Sequence, residues 1–193
     1  MDGFQKRAQR KKQQIIDAAH ELFLTRGVRE TTIQMIAKKA NVSQVTIYNY
    51  YDSKENVLYE VVKLIFEAHT RSFEAIIYDS SKTFNDKMIE LLEFQVRTVD
   101  ELSSDLISTM HGSANERMKK LRNWYENNRI YVGMEHLVRE GKNEGLISKD
   151  IDNDSIILLI ELFKGVGDMP AINDKKKLKD LFYLFFYGIS GKA

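Results

Sequence analysis

The sequence predicts an all-α protein in which a small N-terminal three-helix unit precedes a larger helical body. Apolar residues recur at helical spacing along most of the chain, and no stretch shows the alternation of apolar and polar residues that is typical of a strand. The 193 residues include a single Pro, so long helices can run without interruption. We expect two domains, at 1–53 and 54–193.

The first predicted helix carries an apolar stripe and ends at Gly27, a residue that suits the left-handed position after a helix C-terminus. The stripe consists of Ile15, Ala18, Ala19, Leu22 and Phe23. A basic cluster precedes it and predicts a flexible arm that follows phosphates or enters a minor groove. The cluster comprises Lys6, Arg7, Arg10, Lys11 and Lys12. A solvated, disordered terminus is the alternative interpretation.

Residues 31–54 have the pattern of two short helices joined by a tight turn. Thr31 or Thr32 can cap the first helix, because a hydroxyl oxygen accepts hydrogen bonds from the free amides of a first turn. Asn41 tolerates the left-handed backbone that ends a helix, and Ser43 can cap the second helix. The apolar stripe of the first short helix comprises Ile33, Ile36, Ala37 and Ala40.

The second short helix, at 44–51, has an unusual outer surface. Val42, Ile47 and Tyr51 can face inward, which leaves an outer face that is neutral, aromatic and rich in hydrogen-bonding groups. Such a face suits base edges and phosphates better than it suits plain solvation. Its residues are Gln44, Val45, Thr46, Tyr48, Asn49 and Tyr50.

Residues 52–55 resemble the capped start of a further helix and place Lys54 in its first turn. With this helix start, residues 15–58 as a whole resemble the N-terminal domain of the tetracycline-repressor (TetR) family. Asn41 stands where the family usually has Gly, and the left-handed tolerance of Asn accommodates the change. Val45 stands where a small residue or a Lys-Gly type pair is common, so the base preference stays open. The matching positions are Ala18-Ala19, Leu22-Phe23, Gly27, Thr32, Ile36-Ala37, Ala40, Val42-Ser43, Thr46-Ile47-Tyr48, Tyr51 and Ser53-Lys54-Glu55.

The resemblance implies a regulator that reads a palindromic operator in double-stranded DNA as a dimer. Glutamine can pair with adenine through two hydrogen bonds, and valine can pack against a thymine methyl group. The residues implied to face bases are Gln34, Gln44, Val45 and Tyr48. Those implied to contact phosphates are Thr32, Thr46, Tyr48, Tyr50 and Lys54, and Ser43 and Asn49 complete the expected DNA-binding set.

Charge is unevenly distributed along the chain, whose formal net charge is only +1. Residues 1–54 hold ten Lys or Arg and five Asp or Glu, a net charge of +5. The remaining 139 residues carry a net charge of −4. The near-neutral total therefore conceals a basic N-terminal part, suited to a phosphate backbone, and a mildly acidic body.

Composition limits the other possibilities. The chain has no Cys, which excludes disulfides and thiolate metal sites, and we expect neither a metal nor a cofactor. No apolar segment follows the basic N-terminus, so we expect no signal peptide. The longest apolar run, Leu181–Tyr187, is too short to span a bilayer. We expect the protein to be cytoplasmic.

Beyond residue 53, the positions of helix-breaking residues predict a series of helices separated by short loops. The expected helices are Lys54–Ile77, Thr83–Glu101, Ser104–His111, Asn115–Glu140, Asp154–Lys164 and Lys175–Ile189. The expected loops and breaks are Asp79–Ser81, Gly112-Ser113, Gly141 with Gly145, and Gly165–Pro170.

The last two predicted helices are apolar around most of their circumference. Such helices have to be buried on all sides, and a small domain offers too little core to cover them, so a second subunit is the natural partner. An ordinary pair of core helices is the alternative. The resemblance also implies a homodimer, held by a four-helix bundle. We expect the interface to contain Ile156, Ile160, Phe163, Leu178, Phe182 and Phe185.

The middle helices carry large, adaptable side chains that suit an apolar effector pocket. The candidates are Phe94, His111, Trp124 and Tyr125. The alternative is that they are ordinary core residues, with His111 a structural histidine. The resemblance implies that a small apolar or amphipathic molecule binds among these helices and shifts the dimer out of its DNA-competent spacing.

Two other classes of function are the alternatives to a homodimeric, ligand-responsive repressor. An enzyme is disfavoured, because the sequence has no P-loop, dinucleotide-binding glycine motif, HExxH motif or Cys nucleophile, and its four histidines are scattered. It also lacks the Glu-x-x-His pairs of a di-iron helical bundle. The second alternative is a DNA-binding adaptor whose C-terminal domain binds a protein partner instead of a ligand.

Overall fold

Every secondary-structure element in the described part of the chain is helical, which confirms the predicted fold class. The computed structural model describes residues 3–112 and 115–164, together with 176, 177, 180, 181, 183 and 184. A π-helical segment, Glu126–Ile130, connects α7 to α8. The α-helices are α1 (Gly3–Arg26), α2 (Ile33–Lys39), α3 (Gln44–Tyr51), α4 (Lys54–Ile77), α5 (Phe84–Glu101), α6 (Ser104–Gly112), α7 (Glu116–Tyr125), α8 (Tyr131–Asn143) and α9 (Asn153–Lys164).

Most helix limits agree with the sequence prediction. Helix α4 has the expected bounds, and α5, α6 and α9 each differ from expectation by one residue. The expected turn at 165–170 lies outside the described residues, as does most of the expected helix at 175–189. Among the residues that are described, no helix is long and apolar enough to cross a membrane.

The prediction of a flexible basic arm before the first helix is wrong. Helix α1 begins at Gly3, so Lys6 to Lys12 lie within its first turns. Residues 5–14 are all Ala, Lys, Arg or Gln, which are strong helix formers, and no breaker interrupts them. The basic side chains are therefore presented by a regular helix.

The expected single helix at 115–140 is also corrected. The π-helical segment interrupts it, and α8 then continues through Gly141 to Asn143. Gly141 lies inside α8 and allows other parts of the chain to pack closely against the helix. An added Cβ at this position would lie 2.7 Å from a ring carbon of Phe84 and 2.8 Å from a methyl of Ile147. Termination comes at Gly145, whose φ of +72° is the left-handed conformation that glycine adopts without strain.

The chain forms two compact units. The first consists of Met1–Glu67 together with Glu101–Lys119, and the second of Ala68–Asp100 together with Lys120–Ala193. The segment 101–119, which contains α6 and the start of α7, is thus grouped with the N-terminal helices. The predicted boundary after residue 53 did not anticipate this return of the chain.

The first unit has its own apolar core, to which five helices contribute. The residues with no exposed surface are Ile15, Ala19, Phe23, Ile36, Ile47, Val57, Val61, Val62 and Leu106. They include members of the predicted stripes of α1, α2 and α3, and those stripes are therefore confirmed as core-facing. Leu106 adds an α6 side chain that the N-terminal sequence alone does not supply.

The second unit is built around a core of aromatic and aliphatic side chains from α4, α5, α8, α9 and the loop between α8 and α9. Its buried members are Phe73, Ile76, Ile77, Phe84, Met88, Leu91, Leu137, Val138, Ile147 and Ile156. Lys87 is 2% exposed beside this core, and its ammonium binds both carboxylate oxygens of Glu140, at 2.6 and 2.7 Å. A second ion pair joins Arg129 of the π-helical segment to Glu74 of α4, and its hydrogen bonds hold the pKa of the Glu74 carboxyl below its usual value.

One predicted interface residue has a different environment. Ile156 is 1% exposed within a single chain, so its own core covers it and a partner subunit is not needed for its burial. Leu158 of the same helix is 57% exposed. The side chains of Ile160, Phe163, Leu178, Phe182 and Phe185 lie outside the described residues.

Candidate nucleic-acid interface

Helices α2 and α3 form a helix-turn-helix whose ends are fixed by local hydrogen bonds. The hydroxyl oxygen of Thr32 accepts from the Met35 amide at 3.2 Å, and that of Ser43 accepts from the Thr46 amide at 3.0 Å. Asn41 adopts a φ of +52° in the turn, as predicted, and the Val42 amide donates to the Ala37 carbonyl oxygen. These caps satisfy amides that a short helix otherwise leaves free.

Helix α3 has one buried anchor and an exposed outer face. Ile47 has no exposed surface, whereas Val45 is 66% and Tyr48 is 47% exposed. Gln44 and Asn49 are also exposed. The inner side of α3 is thus packed into the core, while its outer side exposes large apolar and aromatic side chains to solvent. This arrangement is typical of a recognition surface.

Two predicted contact residues of α3 are partly engaged within the chain. The hydroxyl groups of Thr46 and Ser43 lie 2.8 Å apart and share a hydrogen bond, so both belong to the helix cap. The Lys12 ammonium lies 5.6 Å from the centre of the Tyr50 ring, within the range of a cation–π interaction. Both Thr46 and Tyr50 are half-buried.

The C-terminal end of α3 is tied to α1. The Tyr51 hydroxyl donates to the Lys12 carbonyl oxygen at 3.1 Å. Burial, together with the negative charge of Glu60, raises the pKa of Tyr51 to about 12, so the phenol keeps this proton at physiological pH. Asp52 follows with a φ of +61°, an uncommon conformation for a residue other than glycine.

A polar cavity of about 470 Å³ lies beside this junction. Residues of α1, the end of α3, α4 and the start of α7 line it. One wall is formed by Arg117, whose guanidinium stacks over the Tyr59 ring at 3.7 Å and donates to the Asn56 side-chain oxygen at 2.8 Å. The cavity walls mix acidic, basic and amide side chains, so they favour no single ligand charge.

The remaining predicted DNA-binding residues lie at the starts of α2 and α4. Thr32, the N-cap residue of α2, and Gln34, in its first turn, are both exposed. Lys54 is half-buried, and its ammonium donates to the Val28 carbonyl oxygen at 2.6 Å. An ammonium carries three donors, so this bond leaves two available for a phosphate.

A family comparison covers this same region. Residues 15–61 match the model of the family described as bacterial regulatory proteins, tetR family. Those residues run from the apolar stripe of α1, through the capped helices α2 and α3, into α4. They form a TetR-family helix-turn-helix domain. The resemblance noted in the sequence is thereby confirmed.

Curated relatives match a part of the chain. The HTH-type transcriptional regulator HbdR of Aromatoleum sp. (strain CIB) is 36% identical over 64 residues, which are 33% of this chain and 28% of that protein. The biofilm operon icaADBC HTH-type negative transcriptional regulator IcaR of Staphylococcus aureus (strain Newman) is 38% identical over 56 residues, 29% of this chain and 30% of that protein. The chain therefore spans less than a third of the length of these two relatives.

Solved structures match over almost the whole chain. A putative transcriptional regulator from Saccharomonospora viridis, in complex with choline, has a TM-score of 0.72 at 19% identity and covers 91% of this chain and 95% of its own. The transcriptional regulator FadR from Bacillus subtilis, in complex with stearoyl-CoA, has a TM-score of 0.66 at 20% identity, covering 93% and 97%. At these identities the likeness shows the fold.

The predicted effector-pocket residues lie in different environments. Phe94 is half-buried, packs on the second unit's core and lies 4.5 Å from the His69 ring, measured between centroids. Tyr125 is 3% exposed, whereas Trp124 is 51% exposed, with the two rings edge to face. The side chain of His111 lies outside the described residues. The residues with known positions thus do not share one environment.

The sequence prediction missed a group of residues that return to the TetR-family domain from segment 101–119. Asp105 accepts hydrogen bonds from the amides of Val28 and Arg29, and the Ser103 hydroxyl donates to the Phe23 carbonyl oxygen. These contacts join residues about 80 positions apart. Neither helical periodicity nor capping patterns carry information over such a separation.

Proposed function

We propose that this protein is a dimeric transcriptional regulator, a repressor that binds a palindromic DNA operator in the cytoplasm and is released by a small-molecule effector. The observation that carries the proposal is the outer face of α3. Its Val45 and Tyr48 side chains are exposed, while Ile47 of the same helix is fully buried. A rigidly anchored helix can enter a major groove without losing the core that holds it.

Base reading is assigned to the outer residues of α2 and α3, and positioning to their polar neighbours. Gln34, Gln44, Val45 and Tyr48 would face base edges. Phosphate contacts by Thr32, Ser43, Thr46, Asn49, Tyr50 and Lys54 would fix the register without reading sequence. The net charge of +5 on residues 1–54 favours a phosphate backbone, and the helical basic face of α1 would add to this attraction.

Dimerisation follows from what one helix-turn-helix can achieve. A single small module makes few base contacts, whereas two copies related by a two-fold axis engage successive major grooves about 34–36 Å apart. The exposed Leu158 of α9 supports an interface at the C-terminal helices. We assign the remaining contacts to Ile160, Phe163, Leu178, Phe182 and Phe185, with Ile156 supporting α9 from the core.

The second unit is the proposed effector domain. Two proteins of similar fold were solved in complex with chemically different molecules, choline and stearoyl-CoA. The likeness of fold therefore supports a small-molecule effector but does not select its chemistry. Phe94, Tyr125 and His111 stay candidates for the pocket. Trp124, being half exposed, suits the mouth of a pocket better than its interior.

An adaptor that binds a protein through its C-terminal domain is the alternative function. A thermal-shift screen of small molecules distinguishes the adaptor from the effector-responsive repressor, because a ligand that binds only the folded state raises the melting temperature. Several hits of related chemistry would support an effector. A screen in which no compound raises the melting temperature, together with capture of one stable protein partner in stoichiometric amounts, would support the adaptor.

The DNA-binding proposal itself is tested by selection from a random-sequence duplex library. The purified protein should enrich a two-fold symmetric site, with half-site centres separated by about one helical turn or a multiple of it. Gel-shift titration of that duplex should give one complex that contains two protomers. Failure to enrich any sequence, at low salt as well as at physiological salt, would overturn the proposal.

A further inference from the structure

The loop between α1 and α2 is held by a side chain from α6, far away in sequence. One carboxylate oxygen of Asp105 accepts hydrogen bonds from the Val28 amide at 2.6 Å and from the Arg29 amide at 3.0 Å. The other oxygen lies 3.2 Å from the Arg29 guanidinium. Hydrogen bonds from amides to a charged carboxylate are stronger than neutral ones, so Asp105 is a strong attachment point of this loop.

Gly27 makes this attachment possible. A Cβ at that position would lie 3.1 Å from a carboxylate oxygen of Asp105 and 3.3 Å from its Cβ. The φ of Gly27 is +83°, which disfavours any larger residue independently of space. The same glycine thus ends α1 and leaves room for an acidic side chain from α6.

The loop is fixed at further points, all within the first compact unit. The Val28 carbonyl oxygen accepts a hydrogen bond from the Lys54 ammonium, and the Val28 amide donates one to the Asp105 carboxylate. Both polar backbone groups of Val28 are therefore bound by charged side chains. The Thr31 hydroxyl, fully buried, donates to the Gly27 carbonyl oxygen at 2.8 Å. Thr32 then caps α2 directly. A loop of six residues, 27–32, that is held at several points therefore links the position of its attachments to the start of the helix-turn-helix.

We propose that Asp105 is a positioning residue for DNA binding: it fixes the α1–α2 loop and thereby the orientation of α2 and α3 relative to α1. The inference rests on the proposed function and extends it to a residue outside the segment 15–61 that matches the TetR family. Without this carboxylate, the loop amides lose their acceptor and the helix-turn-helix samples more orientations. Only a fraction of the molecules then has the orientation that can bind DNA, and the apparent affinity is reduced in proportion to that fraction.

The test uses the full-length protein and the duplex that the wild type selects from a random library. Asp105→Ala should weaken binding to this duplex about tenfold, whereas binding to random DNA should change less, because sequence reading depends more on orientation than phosphate attraction does. Hydrogen exchange should show faster exchange of the Val28 and Arg29 amides in the variant. Asp105→Asn retains one acceptor oxygen and should fall between wild type and Asp105→Ala.

Glu101→Ala is the matched control for charge. Glu101 is exposed in the same compact unit, so its removal changes the net charge equally without touching the loop. All titrations are made at a temperature where circular dichroism shows each variant to be folded. If Asp105→Ala does not fold, Asp105→Asn supplies the same comparison.

Each result has a distinct meaning. A wild type that binds no DNA would overturn the proposed function, independently of Asp105. A wild type that binds, combined with Asp105 variants of unchanged affinity, would overturn the positioning role even if their loop amides exchange faster. Unchanged exchange at Val28 and Arg29 in Asp105→Ala would show that the carboxylate does not hold the loop. Removing a carboxylate by itself favours binding to the phosphate backbone, so an equal loss of affinity in Glu101→Ala would show that the loss does not depend on the loop contact and would overturn the positioning role.

Discussion

The ammonium of Lys54 donates a hydrogen bond to the carbonyl oxygen of Val28 at 2.6 Å, across the interval between α4 and the α1–α2 loop. The sequence predicts Lys54 as a phosphate contact, whereas this bond gives it a structural role as well. The two roles are compatible, since a lysine held by one donor still presents charge to solvent. They differ in how binding responds to salt.

Lys54→Ala should weaken binding to the operator and to random DNA about equally and reduce the salt slope by roughly one unit, because one phosphate contact is lost. Titrations over a range of salt concentrations measure both quantities. Lys63→Ala, which removes an exposed charge from the same helix, is the control and should leave the slope nearly unchanged. A loss confined to one operator sequence, with an unaltered slope, would mean that Lys54 acts only through the loop.

Gln44→Ala and Tyr48→Ala should each weaken specific binding by about 1–3 kcal/mol while leaving fold and oligomeric state intact. The reason is exposure: both side chains project from α3 into solvent, so their removal disturbs no core contact. Competition gel shifts with operator and random duplexes measure the specific part. Gln95→Ala, an exposed glutamine on α5, should have no effect. If neither α3 variant loses affinity, α3 is not the reading helix.

The parts of this site that sequence predicts well are those governed by local chemistry. The caps by Thr32 and Ser43, the left-handed Asn41 and the C-terminal Gly27 each depend on a few neighbouring residues, and all four have the expected geometry. The burial of Ile47 follows from helical periodicity in the same way. Local rules therefore predict both the frame of the helix-turn-helix and its exposed face.

The errors arise where non-local packing or a competing local preference decides. Asp105 holds a loop 77 residues away, which no short-range pattern encodes. Gly141 resembles a helix terminator in sequence, yet contact with Phe84 makes it a packing position inside α8. In the basic cluster, charge suggested a mobile arm, whereas helix propensity determined the structure. Ile156 shows that an apolar helix can be partly covered by its own core.

Dimerisation through the C-terminal helices is tested by charge insertion. Ile160→Glu or Phe185→Glu would bury an unpaired charge at the proposed interface, at a cost of several kcal/mol. Light scattering should then report monomer or aggregate, and operator affinity should collapse because two half-sites are no longer engaged together. Val132→Glu, at a half-exposed apolar position on α8, is the control and should stay dimeric. A stable dimer with normal DNA binding in both test variants would place the interface elsewhere.

The ion pair between buried Lys87 and partly exposed Glu140 should contribute to the stability of the second unit. Lys87→Met removes an ammonium that is 2% exposed and leaves the Glu140 carboxylate, which is 23% exposed, without its lysine partner. Because water reaches that carboxylate, the loss should lie below the cost of breaking a fully buried pair, which is about 3–5 kcal/mol. Urea unfolding at one fixed protein concentration measures the loss. The double variant Lys87→Met with Glu140→Leu should recover much of the lost free energy of unfolding, since apolar replacement of a whole pair is often neutral.

Lys119→Met, which breaks an exposed pair with Glu116 on α7, is the control and should change the free energy of unfolding by less than about 1 kcal/mol. Equal effects of the Lys87 and Lys119 substitutions would mean that the burial of Lys87 contributes nothing to the strength of its ion pair.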